Sequence, residues 1–146
     1  MEPEVADRLA LAELLSRHAR AFLARDFDAL DEVFTPDAVL DSTAVGGVRH
    51  AWPEAREWLK TTFGAVQVFR LHVGDSQITM SDDGKRANLT TTNHVAFVAV
   101  EGAPPVVAFG VYEDRAVRTD GGWRLSERVD RPLVRMTGAP AGGATP

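Results

Sequence analysis

Cysteine is absent from the chain, which removes disulfides, thiolate nucleophiles and cysteine-ligated zinc together. Histidine occurs four times, but in no H-x-H or H-E-x-x-H spacing, so no metal site is expected. No G-x-S-x-G elbow and no G-x-x-x-x-G-K loop is present, so neither serine nucleophile chemistry nor nucleotide binding has a motif behind it. The longest unbroken apolar run, VAFVAV at 95–100, is far too short to cross a bilayer. The start, MEPEVADRLA, is acidic and lacks the basic opening and apolar stretch of a secretion signal, so a cytoplasmic location is expected. Sixteen basic residues against 21 acidic ones give a net charge of −5, and the basic residues do not cluster. Nucleic acid is therefore not expected as a partner.

What remains is ordinary for a globular domain: 146 residues, 45% hydrophobic and 25% charged. One domain is expected over residues 1–137. The ending GAPAGGATP (138–146) has no large apolar group to bury and is expected to be disordered. Between Glu4 and Arg25, apolar residues recur at spacings of three and four, predicting an amphipathic helix with Pro3 near its start. Asp26 reads as the N-cap of a short second helix, FDALDEVF, ended by Pro36. DAVLDST (37–43) reads as a strand, Gly46–Gly47 as a turn, and Pro53 opens a third helix closed by Gly64. Long strands follow: residues 66–80 with a bulge at Gly74–Asp75, then 86–100, 106–118 and 123–136. Helices first and strands afterwards predict an α+β fold, with the helices on one face of an antiparallel sheet. Apolar residues on the other face predict a homodimer formed through it.

Several polar residues fall at positions that alternation or helical spacing turns inward. His18 shares a stripe with Leu11, Leu14, Leu15 and Phe22, either as a core histidine bonded to a carbonyl or as a pocket group. His72 follows Val66, Val68 and Arg70 in alternation and is expected on the inner face. Asp41 sits at the rim beside Val39, or else caps the turn before Gly46–Gly47. Tyr112, the single tyrosine, lies mid-strand two residues before Asp114. In the last strand, Ser126, Arg128 and Asp130 share one face, and Trp123, Leu125 and Val129 the other. The Arg128–Asp130 face is either an exposed ion pair or part of the pocket.

The helix carrying RHARAFLARDFDAL, the segment FTPDAVLD, a histidine opening a strand before the DDGKRA turn, and the ending DGGWRLSERV together resemble a known family. This is the SnoaL-like branch of the nuclear-transport-factor-2-like superfamily, which includes scytalone dehydratase and the bile-acid 7α-dehydratases. The similarity spans residues 5–137. It implies a cone-shaped α+β barrel, with three N-terminal helices on a strongly curved antiparallel sheet and an apolar pocket at the wide end. It also implies a homodimer, His72 as principal acid/base, and a cavity lined by Asn93, Val95, Phe97, Gly110 and Tyr112, with Arg128 and Asp130 facing inward. Where the dehydratases carry a tyrosine and, five residues later, an aspartate, this chain has His18 and Leu23. Phe97 stands where scytalone dehydratase has a second histidine.

The expectation is thus a cofactor-independent enzyme of the dehydratase, isomerase or cyclase type, acting on an apolar cyclic, polyketide-, steroid- or terpenoid-like substrate. In it His72 moves the proton, Tyr112 holds the carbonyl, and His18 is a second shuttle or donor. Asp41 or Asp114 raises the histidine pKa, and Arg128 stabilises negative charge. Two alternatives stand beside it. One is a non-catalytic binding protein whose pocket is filled by Phe22, Leu23 and Phe97. The other is an epoxide-opening enzyme that activates water with Asp114, Arg128 and Asp130.

Overall fold

The computed structural model describes residues 2–138. The tail expected to be disordered lies, from residue 139 on, outside the described residues. In chain order the elements are α1 (Pro3–Ala24), a 3-10 helix (Phe27–Glu32), β1 (Phe34–Asp41), a 3-10 turn (Thr43–Val45), β2 (Arg49–Ala51) and α2 (Glu54–Phe63). Four long strands complete them: β3 (Val68–Met80), β4 (Arg86–Val98), β5 (Val106–Thr119) and β6 (Gly122–Thr137). The α+β architecture expected from the sequence is the one observed.

The helices follow from local chemistry. Pro3 lies in the first turn of α1, where its missing N–H does no harm. Leu11, Leu14, Leu15, His18 and Phe22 form the buried stripe at spacings of three and four. Asp26 caps the 3-10 helix by accepting from the Ala29 N–H at 3.2 Å. The Arg25 guanidinium donates to the carbonyls of Phe63, Gly64 and Gln67, satisfying the end of α2 and tying it to the end of α1. Pro36 does not end the second helix as expected. It lies inside β1, in the stretch where pairing with β6 shifts register between Phe34 and Val39, so no ladder bond is lost.

All six strands form one sheet in the order β2-β1-β6-β5-β4-β3. Every pair is antiparallel except β1–β6, which is parallel. The register shifts matter most for the site. Between Val73 and Ser76, β3 carries one residue more than β4, the bulge expected at Gly74–Asp75. On β6, the step from Leu125 to Glu127 lies opposite the single step Ala116–Arg115, so Ser126 is the extra residue. Its hydroxyl donates to the Arg115 carbonyl.

Each bulge reverses the alternation beyond it. Trp123 and Leu125 face inward before Ser126, and Arg128 and Asp130 face inward after it. A third shift places Gly110 against the β6 backbone, where a Cβ would stand 2.6 Å from the Arg131 carbonyl oxygen.

One end of the inner face is filled by Leu11, Leu14, Leu30, Phe34, Leu89 and Leu125, all almost without solvent exposure. The other end is hollow. Among the described residues no helix is long and apolar enough to cross a membrane.

Candidate active site

The hollow is a cavity of about 540 Å3 between α1, α2, the 42–47 loop and the inner faces of β3 to β6. That volume falls in the range of small-molecule pockets. Its walls are aromatic: Phe22 packs against Phe27, Phe63 and Phe69, with ring centroids 5.3–5.7 Å apart. The polar groups gather where α1 crosses β5 and β6.

Arg128 organises that floor. Its Nε and Nη2 donate to the two Asp114 oxygens at 2.7 and 2.8 Å, and Nη1 donates to His18 Nε2 at 2.8 Å. The guanidinium carbon lies 3.8 Å from the Tyr112 ring centroid. Cross-strand register sets the pair, because Asp114 lies directly opposite Arg128 and Tyr112 directly opposite Asp130. Both partners of the ion pair are almost wholly excluded from solvent. Burial works against the Arg128 charge, and Asp114, with smaller help from Tyr112 and Asp130, more than offsets it.

A guanidinium can only donate. His18 Nε2 must therefore accept, and the ring proton sits on Nδ1, which is buried with no partner. Burial, reinforced by the Arg128 charge, pushes the His18 pKa well below the usual histidine value. His18 is thus a neutral imidazole whose one basic nitrogen is occupied. It cannot serve as the proton shuttle that the sequence suggested.

Asp130 is the exception to this pairing. It lines the cavity, and its pKa is raised to about 6, chiefly by burial. Arg128 opposes that rise, Asp114 adds to it, and the neighbouring Asn93 amide opposes it. Asn93 Nδ2 itself has no well-aligned partner. Burial drives the Tyr112 hydroxyl above its ordinary range, so it remains a neutral donor.

The structure brings together His18, Phe22, Asn93, Val95, Phe97, Gly110, Tyr112, Arg128 and Asp130 at the cavity, with Asp114 behind Arg128. It separates three other expected residues from it. His72 is exposed on the outer face, its ring stacked on His94 at 4.7 Å. The reason is a one-residue phase error: Phe69 and Leu71 are the buried positions of β3, and Val68, Arg70 and His72 alternate outward. Leu23 is 44% exposed, since the next inward position one turn beyond His18 is Phe22. Asp41 caps the following turn, accepting from the Thr43 N–H and hydroxyl at 3.0 and 2.6 Å, and those bonds hold its pKa down. With both Asp114 oxygens committed to Arg128, Asp114 has none free to activate water, and Asp130 is left as the one base of an Asp114–Arg128–Asp130 set.

Sequence reasoning missed the wall from α2, with Trp58, Leu59 and Phe63, and the loop from Ser42 to Gly47. Helical spacing buries Ala55 and Leu59 but does not say against what. Among the described residues, no three His, Asp or Glu side chains converge as metal ligands.

A cone of two helices and a curved six-stranded sheet around an apolar hollow defines a nuclear-transport-factor-2-like protein. Within that class, the profile of the SnoaL-like domain matches residues 3–129, and the chain belongs to that family. It is 34% identical over 128 residues to the uncharacterized protein Rv2910c of Mycobacterium tuberculosis, covering 87% of this chain and 86% of that one. Among solved structures, the Kfla4162 protein of Kribbella flavida superposes with a TM-score of 0.82 at 22% identity, over 91% of this chain and 95% of that one. The LinA-type3 hexachlorocyclohexane dehydrochlorinase of Novosphingobium barchaimii superposes with a TM-score of 0.80 at 20% identity, over 98% and 97%. These structural matches establish the fold.

Two stability measurements test the floor. Asp114→Asn removes the counter-charge of a buried guanidinium and is expected to lower unfolding free energy by about 3–5 kcal/mol. Denaturant titration reads that loss directly. Asp130→Asn has the opposite sign. The folded state binds the Asp130 proton more tightly than the unfolded state does, so this carboxyl costs stability as pH rises from about 4 to about 6. The variant is expected to be more stable than the parent by about 2 kcal/mol at pH 8, with the gain gone at pH 4.

Proposed function

We propose that the chain is a cofactor-independent enzyme of the dehydratase, isomerase or cyclase type, acting on an apolar cyclic small molecule with Asp130 as its acid/base. The observation that carries this reading is Asp130 itself, a cavity-lining carboxyl whose raised pKa leaves both protonation states populated near neutrality. His18 is locked neutral, Asp114 is paired, and His72 lies outside. The proton-transfer task expected of a histidine therefore falls to this aspartate.

The chemistry follows from what the floor offers. The Asp130 carboxylate takes a proton from carbon beside a substrate carbonyl, and the electron pair moves onto the carbonyl oxygen. The Tyr112 hydroxyl supplies a hydrogen bond to that oxygen, where negative charge develops. The Asp130 acid then returns the proton, to another carbon in an isomerisation or to a departing hydroxyl in a dehydration. Arg128 holds the Tyr112 ring by cation–π contact and, through its charge, limits the rise of the Asp130 pKa. Aromatic walls suit a ring system, and the similar fold of a protein named as a hexachlorocyclohexane dehydrochlorinase supports a cyclic substrate.

The same reading has the protein working as a homodimer in the cytoplasm. On the outer face Val134, Phe109, His94 and His72 lie in cross-strand register, with Met136 and Val107 beside them. Phe109, Val134 and Met136 are 38%, 49% and 52% exposed. A second copy would remove that apolar surface from water.

Hydrogen–deuterium exchange at the carbons next to the carbonyl of 1-indanone and 2-tetralone, followed by NMR in D2O, tests the chemistry on simple cyclic ketones. Exchange above the buffer rate is expected, falling at least about 100-fold in Asp130→Asn and unchanged in His72→Ala. Absence of exchange across a panel of cyclic ketones would leave the binding-protein reading instead. For assembly, light scattering should give a dimer mass for the parent and a monomer for Phe109→Glu.

A further inference from the structure

We propose that Asp130 makes the cavity refuse carboxylates and prefer their uncharged counterparts, so that the natural substrate carries no anionic group. This rests on the reading of the cavity as a substrate site and adds the charge class of what enters it.

The argument is a charge count at the cavity wall. Among the described residues the ionisable side chains facing it are His18 from α1, Tyr112 from β5, and Arg128, Asp130 and Arg135 from β6; the 42–47 loop, α2, β3 and β4 contribute none. His18 is neutral because its Nε2 accepts from Arg128. Tyr112 keeps its proton, since burial opposes ionisation. The Arg128 charge is matched by Asp114 in a two-point contact and three of its five N–H bonds are committed to Asp114 and His18, so it offers an incoming anion little net attraction. Arg135 sits on an exposed stretch of β6, its guanidinium 5.9 Å from the Phe97 ring centroid, where water and salt screen it. Asp130 is left as the uncompensated charge, half-buried opposite Tyr112 in a cavity that Phe22, Phe69 and Phe97 also line.

An anion entering this space would stand beside a like charge in a poorly solvated hollow, and the cheapest relief is for Asp130 to bind a proton. Carboxylate binding should then be coupled to uptake of one proton. The raised pKa of Asp130, about 6, sets the pH at which that coupling begins. A neutral ketone meets no such barrier.

Calorimetric titration of the full chain with 2-acetylnaphthalene and 2-naphthoate tests this, because the two probes share a ring system and differ in charge. At pH 8 the ketone is expected to bind at least about 10-fold more tightly than the carboxylate. From pH 8 to pH 5 naphthoate affinity should rise about 100-fold, tenfold for each pH unit above 6, while ketone affinity changes less than about threefold. In Asp130→Asn, which removes an unfavourable buried charge and should fold, both the preference and the pH dependence should vanish.

Naphthoate binding as tightly as the ketone at pH 8 would overturn the proposal, since Arg128 or Arg135 would then be the anion's partner. A pH dependence that persists in Asp130→Asn would overturn it as well, because the ligand rather than Asp130 would be taking up the proton. Failure of both probes to bind at any pH would overturn it together with the substrate-site reading. Charge selection without deuterium exchange would uphold this inference and remove the catalytic one.

Discussion

A positive charge held out of water governs the floor of this molecule. Arg128 lies opposite Asp114 on neighbouring strands, both turned inward, and a guanidinium in that position is tolerated only if its donors are met. Asp114 meets it at two points, His18 at a third, and the Tyr112 ring covers its face. Each partner is fixed by doing so. His18 surrenders its basic nitrogen, Asp114 both oxygens, and Tyr112 its freedom to turn. A cluster that looks rich in acid/base groups is thereby reduced to one carboxyl able to exchange a proton, Asp130 on the same strand.

That arrangement depends on a single extra residue in β6. Strict alternation through WRLSERVD would send Arg128 and Asp130 to the face opposite Trp123 and Leu125, leaving either the core or the floor exposed. The bulge at Ser126 reverses the phase, so Leu125 fills the core and Arg128 and Asp130 meet the cavity on the same side of the sheet. Gly110 serves the neighbouring irregularity by letting the β6 backbone approach within a distance that a side chain would forbid.

These features explain which parts of the molecule could be read from the sequence. The stripe of α1 is long and regular enough to orient His18 and Phe22 without ambiguity, whereas it is the family resemblance that places Asn93 and Tyr112 at the cavity, and β4 and β5 bury both. The start of β3 is different. Apolar residues occupy both parities in VQVFRLHV, so the alternation has two solutions, and only the packing of Phe69 against Phe22 and Phe63 selects the one that turns His72 outward. Leu23, expected to line the pocket, turns outward for a related reason: a five-residue step from His18 on a helix does not return to the same face, whereas the four-residue step to Phe22 nearly does. The wall from α2 was out of reach, because its placement comes from Arg25 reaching across to three carbonyls, a contact with no local signature.

The contrast between the two ends of the sheet gives the floor its meaning. Where Leu11, Leu89 and Leu125 fill the interior, Thr91 is buried but bonded to Ser76. Among the described residues three buried side-chain polar atoms lack a partner, and two of them, His18 Nδ1 and Asn93 Nδ2, belong to residues of the cavity. Asp130, beside them, is less stable ionised than it would be in water. An unmet buried donor typically costs about 1–3 kcal/mol, and a half-buried lone carboxylate a comparable amount. The fold gains nothing from the unmet Nδ1 and Nδ2 donors or from an ionised Asp130, each of which costs stability where it stands. Their concentration at the hollow end is what a site requires and a structural core would shed.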